Sequence, residues 1–459
     1  MKVTQFIERI FSKYLPSPFT IAIILTLLTI ALAIAVGDFQ GDGPRVVQVL
    51  EYWEEGIWNT ALLEFAYQMM LILVLGHILV LSKPMAGLLS RLTKFATNTS
   101  SAVVLVSVAT MLVAFFNWGL GLIFGAILAK KIGEKSQIEG IPINYPLVGA
   151  AGYGGLMIWH GGISGSAPIK VAEDGHIKTL MDQVTSSEII SALPQNITFA
   201  STVFSPSNLI VFCTVLITVP IVLYRLSKST KEKLLSPSLF STIIQNKDND
   251  EDVGRLDNSK LLGIGFGVIA LITFTVKYWE NLLDLQITPN MLNFFMLGLG
   301  IVLHGNFANF IRATTEAIKG ASGILIQFPL YFGIMGIMKS SGMVVLISDF
   351  FVSIANSTTL PIFTFFSAGL VNIFVPSGGG QWAIQGPIVI ESALKLGVPL
   401  PKAIMALAYG DQITNMIQPF WALPLLGITR LKAKEILPYT LIIMVVGIVA
   451  FILGLLLLY

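Results

Sequence analysis

The chain has 459 residues, of which 54% are hydrophobic and only 12% charged, and its mean hydropathy is +0.79. That charged share is about half of what a soluble globular domain carries, so a soluble fold, a disordered tail protein and a nucleic-acid binder all fit poorly. An all-α polytopic membrane protein remains. The net charge of +2 selects no partner, and the single cysteine, Cys213, forms no internal disulfide.

In chain order, uncharged runs cover Phe19–Val36, Phe65–Leu81, Ser100–Ala129, Asn144–Ile169, Asn208–Tyr224, Leu261–Val276, Met291–Leu303, Ala321–Met338, Thr358–Ile390, Ala403–Thr429 and Leu437–Tyr459. A helix needs about 17–25 residues to cross the hydrocarbon layer. Most runs supply them. Ser100–Ala129 and Thr358–Ile390 are too long for one span and too glycine-rich for two, so each reads as a re-entrant hairpin. Alternating strands are absent, which speaks against a β-barrel. The first run follows Lys2, Arg9 and Lys13 and contains Ala31-Leu32-Ala33, as a signal peptide would. Its 18 apolar residues and the spans behind it make it a retained first helix.

With the N-terminus inside, 21 of the 28 basic residues fall in inside segments. The first outside loop is acidic, with Asp38, Asp42, Glu51, Glu54 and Glu55. This bias sets the orientation. Two full crossings in each long run would preserve the same parity.

The halves resemble each other at an offset of about 255–260 residues. Asn117 echoes Asn372, Tyr153-Gly154 echoes Tyr409-Gly410, and Pro168 echoes Pro424. Gln68 and Gly76 echo Gln327 and Gly336. One copy starts outside and the other inside, so the repeats are inverted, a signature of secondary transporters. The expected organisation is an N-terminal span and outside loop (1–59), then repeat 1 and a following span (60–225). Repeat 1 holds a hairpin at about 98–131 and a broken helix at about 144–169. A cytoplasmic loop (226–260) and connecting spans (261–319) lead to repeat 2 (320–429). Its hairpin lies at about 356–390 and its broken helix at about 403–429, before a C-terminal span (430–459).

Irregular backbone at membrane depth is costly unless it faces protein or a water-filled cavity. Four stretches predict it: Asn117–Gly121, Gly152–Pro168, Asn372–Gly386 and Tyr409–Pro419. Glycines there admit close ligand approach, and broken helices expose N–H groups of partial positive charge. No Lys or Arg lies inside an apolar run, so a bound anion is expected to rest on helix N-termini, hydroxyls, amides and His160. That suits a small monocarboxylate. Asp411 is the only formal charge inside the runs; a carboxylate there costs at least about 2.5–3.5 kcal/mol. It reads as a proton carrier, as a sodium ligand with Asn415, or as a structural group.

The substrate site is expected to comprise Asn117, Gly119, Gly121, His160, Gly161, Gly162, Ser164, Ser166, Asn372, Ser377, Gly378, Gly379, Gly380 and Gln381. Asp411, Gln412 and Asn415 are expected to serve a coupling ion, H+ or Na+; no cofactor and no other metal is implied. Gly378-Gly379-Gly380 beside Pro376 reads as a helix break rather than a packing stripe. His77 and His304 read as structural and His176 as solvated. Trp118, Trp159, Trp382 and Trp421 read as packing. Gly162-Ile163-Ser164-Gly165 matches the pattern of intramembrane serine proteases, which need a histidine beside the serine. Only His304 could serve, at a span edge. No nucleotide loop appears, so ATP drive is unsupported.

Several strings resemble the bacterial short-chain fatty acid transporters. They are Pro376-Ser377-Gly378-Gly379-Gly380-Gln381-Trp382-Ala383-Ile384-Gln385-Gly386-Pro387, Ala408-Tyr409-Gly410-Asp411-Gln412 and Gln418-Pro419-Phe420-Trp421-Ala422-Leu423-Pro424, together with Asn117-Trp118-Gly119 and Gly165-Ser166. The resemblance runs over nearly the whole chain. It implies uptake of acetoacetate, butyrate and similar acids across the bacterial inner membrane. It also implies a place in the broad ion-transporter group, with a homodimer and an elevator-like movement. Lipid and a small monocarboxylate are then the partners. The rival readings are a carrier of dicarboxylates or another organic anion, a passive anion channel, and the intramembrane protease.

Overall fold

The computed structural model describes residues 16–39, 43–181, 193–236, 239–240, 254–283 and 288–459. Lys2, Arg9, Lys13, Asp42 and residues 237–238 and 241–253 of the long loop lie outside the described residues. The described chain is helical, with one isolated bridge between Ile143 and Lys233.

Among the described residues six helices are long and apolar enough to cross a membrane: Pro18–Val36, Thr60–Leu79, Thr99–Phe116, Pro206–Ser229, Lys260–Leu283 and Ala433–Leu457. A seventh path joins Leu325–Ser340 to Met343–Ser353 through a 59° bend. Gly342 makes that bend by taking φ +67°, which a residue with a side chain rarely adopts. Lipid is as apolar as leucine, so close contacts at small residues and internal hydrogen bonds hold such helices together. Ser100 and Ser227 hydroxyls pair at 2.7 Å, Asn293 Nδ2 donates to the Gln68 carbonyl at 2.9 Å, and Tyr145 Oη donates to the Thr429 carbonyl at 3.0 Å.

Two hairpins stand out. The first joins Thr99–Phe116 to Trp118–Glu139 at Asn117; the second joins Leu360–Phe374 to Gly378–Leu396 through Val375-Pro376-Ser377. The opening arm of the first, 18 residues, is long enough to cross alone; that of the second, 15 residues, is not. Each hairpin meets a broken helix at a pair of glycines. A Cβ on Gly152 would lie 2.6 Å from the Gly125 carbonyl oxygen, and one on Gly369 would lie 3.2 Å from that of Gly410. A separate apolar cluster ties the segment 167–181 to the second hairpin, with Ala167, Val171 and Ile177 packed in one group with Trp382 and Val389.

Candidate functional site

Both hairpin tips are capped helix starts. Asn117 is extended (φ −148°), and its Oδ1 accepts the Leu120 N–H at 3.0 Å. Ser377 has the same φ of −148°, and its Oγ accepts the Gly380 N–H at 3.2 Å. Asn117, Gly119, Ser377, Gly378 and Gly379 line one cavity of about 300 Å³. Ser164 and Ser166 join them, and Phe65, Ile72 and Leu292 form part of an apolar wall. Two helix N-termini of partial positive charge therefore open on one small, largely apolar chamber. Ser164 Oγ is already engaged, accepting the Trp118 N–H at 2.9 Å. Trp118, Trp159 and Trp421 also line the cavity, with Trp118 5.1 Å from Trp421 and 5.8 Å from Trp159 between ring centroids.

The first broken helix runs from Tyr145 to Tyr153, tightens into 3₁₀ turns at Gly154–Met157 and Trp159–Gly161, and resumes as Ser166–Ala172. His160 lies in the break, fully buried, with Trp159 stacked on its ring at 4.5 Å. Its Nε2 accepts the Ala167 N–H at 3.0 Å, so its proton sits on Nδ1, which donates to Asp411 Oδ2. The backbone N–H of His160 donates to Gln412 Oε1 at 2.8 Å. A Cβ on Gly378 would come within 3.0 Å of His160 Cε1 and of Ser166 Oγ. His160 thus lies directly behind the tip of the second hairpin rather than in the cavity lining.

The second broken helix runs Leu400–Thr414, makes a 3₁₀ turn at Asn415–Ile417 and resumes at Pro419. Asp411 sits 1% exposed near the end of its first part. Asn372 Nδ2 donates to the Asp411 carbonyl and, at 2.8 Å, to Asn415 Oδ1, while Gln418 Nε2 donates to the Asn372 carbonyl. The two breaks also hold each other. Tyr153 Oη donates to the Asn415 carbonyl at 2.8 Å, and Tyr409 Oη donates at 2.7 Å to Asn208 Oδ1, whose Nδ2 donates to the Gly161 carbonyl at 2.9 Å.

Several expected site residues do not reach the cavity. Asn372 points to the second break, and Gln381 Nε2 donates to the Ala368 carbonyl at 2.8 Å inside its own hairpin. Gly121 packs on Ala114, Gly161 on Asn208 and Gly162 on Phe115. Gly380 lines a second cavity of about 270 Å³ on the other side of the tip, with Lys339 and Glu55. Gln412 and Asn415 spend their oxygens on backbone and amide donors. The three glycines begin a helix rather than break one; the break is Val375–Ser377, where Pro376 has no N–H and Ser377 supplies the cap. At the tip, the counterpart of Asn117 is Ser377 and not Asn372.

Other side chains escaped the sequence reading. Lys170, the first charge after its run, lines the cavity one helical turn beyond Ser166. His176 is not simply solvated: its Nε2 accepts the Trp382 Nε1–H at 3.1 Å. His304 Nε2 is bonded to the Ile78 carbonyl at 2.8 Å, away from Ser164.

The family model described as "Short chain fatty acid transporter" matches residues 1–458. The chain belongs to that family. It is 36% identical over 461 residues to the "Putative short-chain fatty acid transporter" of Haemophilus influenzae, covering 99% of both chains. It is 34% identical over 459 residues to the protein of the same description from Escherichia coli, again over 99% of both. Among solved structures it is similar to the YdaH transporter of Alcanivorax borkumensis, at 15% identity and a TM-score of 0.45 over 96% of this chain and 98% of that one. It is likewise similar to MtrF of Neisseria gonorrhoeae, at 13% identity and a TM-score of 0.42 over 98% and 97%. The family member described here is a multi-pass helical transporter for a small-molecule substrate.

Proposed function

We propose that the protein carries short-chain monocarboxylates such as acetoacetate and butyrate across the bacterial cytoplasmic membrane by secondary active transport, with its N-terminus inside. One observation carries this reading: the helices starting at Trp118 and Gly378, capped by Asn117 and Ser377, open on one cavity with an apolar wall. A carboxylate would take the free N–H groups at the tips, and a short alkyl chain the wall of Phe65, Ile72 and Leu292. Among the described residues of the lining Lys170 is the single cation, which favours one carboxylate over two.

Coupling is assigned to Asp411, which reaches the site through the His160 ring and the Gly378 tip. Burying an anion near another carboxylate is unfavourable unless a cation, H+ or Na+, comes with it. Substrate and ion would then bind cooperatively, and by linkage each would strengthen the other. The inverted relation of the two hairpin units, an elevator-like movement and a homodimer belong to the same proposal. The separate apolar cluster around the second hairpin supports a body that moves as a unit.

The deciding experiment is uptake by purified protein in proteoliposomes, with a panel of C2–C6 acids under imposed proton and sodium gradients. Concentrative uptake of butyrate is expected, with poor competition by succinate. Strong succinate competition would favour a dicarboxylate carrier, and failure to accumulate against a gradient would favour a channel.

A further inference from the structure

We propose that Lys170 determines the charge specificity of the substrate site, and that Glu173 is a built-in carboxylate which the substrate displaces from it. This rests on the monocarboxylate reading above. Lys170 is the only cation among the described residues lining the cavity. It stands four residues after Ser166 on the Ser166–Ala172 helix, so the two side chains share a face. The other polar groups among the described lining residues are uncharged hydroxyls, amides and backbone N–H groups. Those can also bond a neutral amide or alcohol, and the helix N-termini among them offer an anion only partial positive charge. Lys170 adds a full positive charge, which sharpens the preference for a carboxylate over its uncharged isosteres.

In this structure the cation is occupied. Lys170 Nζ donates to both oxygens of Glu173, at 2.8 and 3.0 Å. The two side chains are 47% and 42% exposed, so water competes for both and the pair is readily exchanged. Glu173 also has somewhere to go. His176 Nδ1 stands 4.0 Å from Glu173 Oε2, the oxygen held by Lys170 at 3.0 Å. Because His176 Nε2 accepts the Trp382 N–H, the neutral ring carries its proton on Nδ1, the atom that faces Glu173. Trp382 belongs to the second hairpin, so this alternative partner is anchored to the element that forms the other side of the site. An incoming carboxylate would take Lys170, and Glu173 would turn toward His176. Glu173 keeps a hydrogen-bond donor in either arrangement, Lys170 in one and the His176 Nδ1–H in the other.

The exchange predicts opposite effects from the two halves of one ion pair. The measurement is counterflow of labelled butyrate in proteoliposomes, which needs no imposed gradient, with unlabelled butyramide as a neutral competitor. Lys170→Gln should raise the half-saturation concentration for butyrate about tenfold, the scale of one charge-assisted hydrogen bond. It should leave inhibition by butyramide unchanged, and Lys170→Arg should restore most of the affinity. Glu173→Gln should lower the half-saturation concentration about threefold, because the internal competitor is gone. A merely structural ion pair would weaken transport in the same direction from either side, and that result would overturn the inference. So would unchanged butyrate affinity in Lys170→Gln. Wild-type protein that exchanges no butyrate would sink the substrate reading first, and this inference with it.

Discussion

His160 and Asp411, 251 residues apart, are joined by a hydrogen bond from Nδ1 to Oδ2, with both side chains sealed from solvent. The bond ties the break of one long helix to the polar end of another. The Ala167 N–H fixes the ring tautomer from the far side. A change at Asp411 is therefore passed to the ring on which Gly378 rests.

If Asp411 carries the coupling ion, Asp411→Asn should abolish concentrative uptake and spare exchange. Asparagine keeps the shape and an acceptor for His160 but gives up the charge. Gradient-driven butyrate accumulation should fall to background while counterflow persists. Accumulation at the wild-type level would refute the assignment.

Neighbouring glycines at the second tip should respond differently. A methyl on Gly378 would meet Trp159 Cη2 at 2.8 Å and His160 Cε1 at 3.0 Å, whereas one on Gly379 meets nothing within 4 Å. Gly378→Ala should cut the butyrate uptake rate severely. Gly379→Ala should fold at least as well as wild type, gaining up to about 1 kcal/mol of helix propensity. Parallel uptake and thermal-unfolding assays in detergent separate the two. Equal behaviour would mean that the Gly378–His160 contact is not tight.

Ser377 can be probed by size and by its hydrogen bond. Ser377→Trp should fill the cavity and block butyrate binding. Ser377→Ala should only remove the helix cap, a loss of about 1 kcal/mol seen as a lower melting temperature. Normal transport kinetics in the tryptophan variant would place the tip outside the substrate path.

His176 predicts a pH dependence with a definite sign. Burial, the largest effect, lowers its pKa below the ordinary 6.5; Glu173 opposes this and Lys170 adds to it. The fold therefore holds the ring neutral in a window where the unfolded chain protonates it. Its contribution should be complete above about pH 6.5 and shrink as pH falls below that value. Thermal unfolding of wild type between pH 7.5 and 5.5 should show this loss, and His176→Gln should flatten it. An identical slope in the variant would assign the titration elsewhere.

The hairpins, the broken helices and the isolation of Asp411 were legible in the sequence because the bilayer penalises charge and unsatisfied backbone so strongly. A lone carboxylate in an uncharged run, or Pro376 ahead of three glycines, has few structural explanations there. The direction of each polar side chain was not legible in the same way. Asn117 and Asn372 stand in similar strings, yet one caps a helix at the cavity and the other clamps the second break. That difference is set by a three-residue linker in one hairpin against a single residue in the other. Lys170 could be counted as a loop charge from sequence but became part of the cavity when its helix packed on the second hairpin. Composition decides which groups a membrane will tolerate at depth. Only the packing of segments some 250 residues apart decides which of them face the substrate, because each depends on a partner that local sequence does not contain.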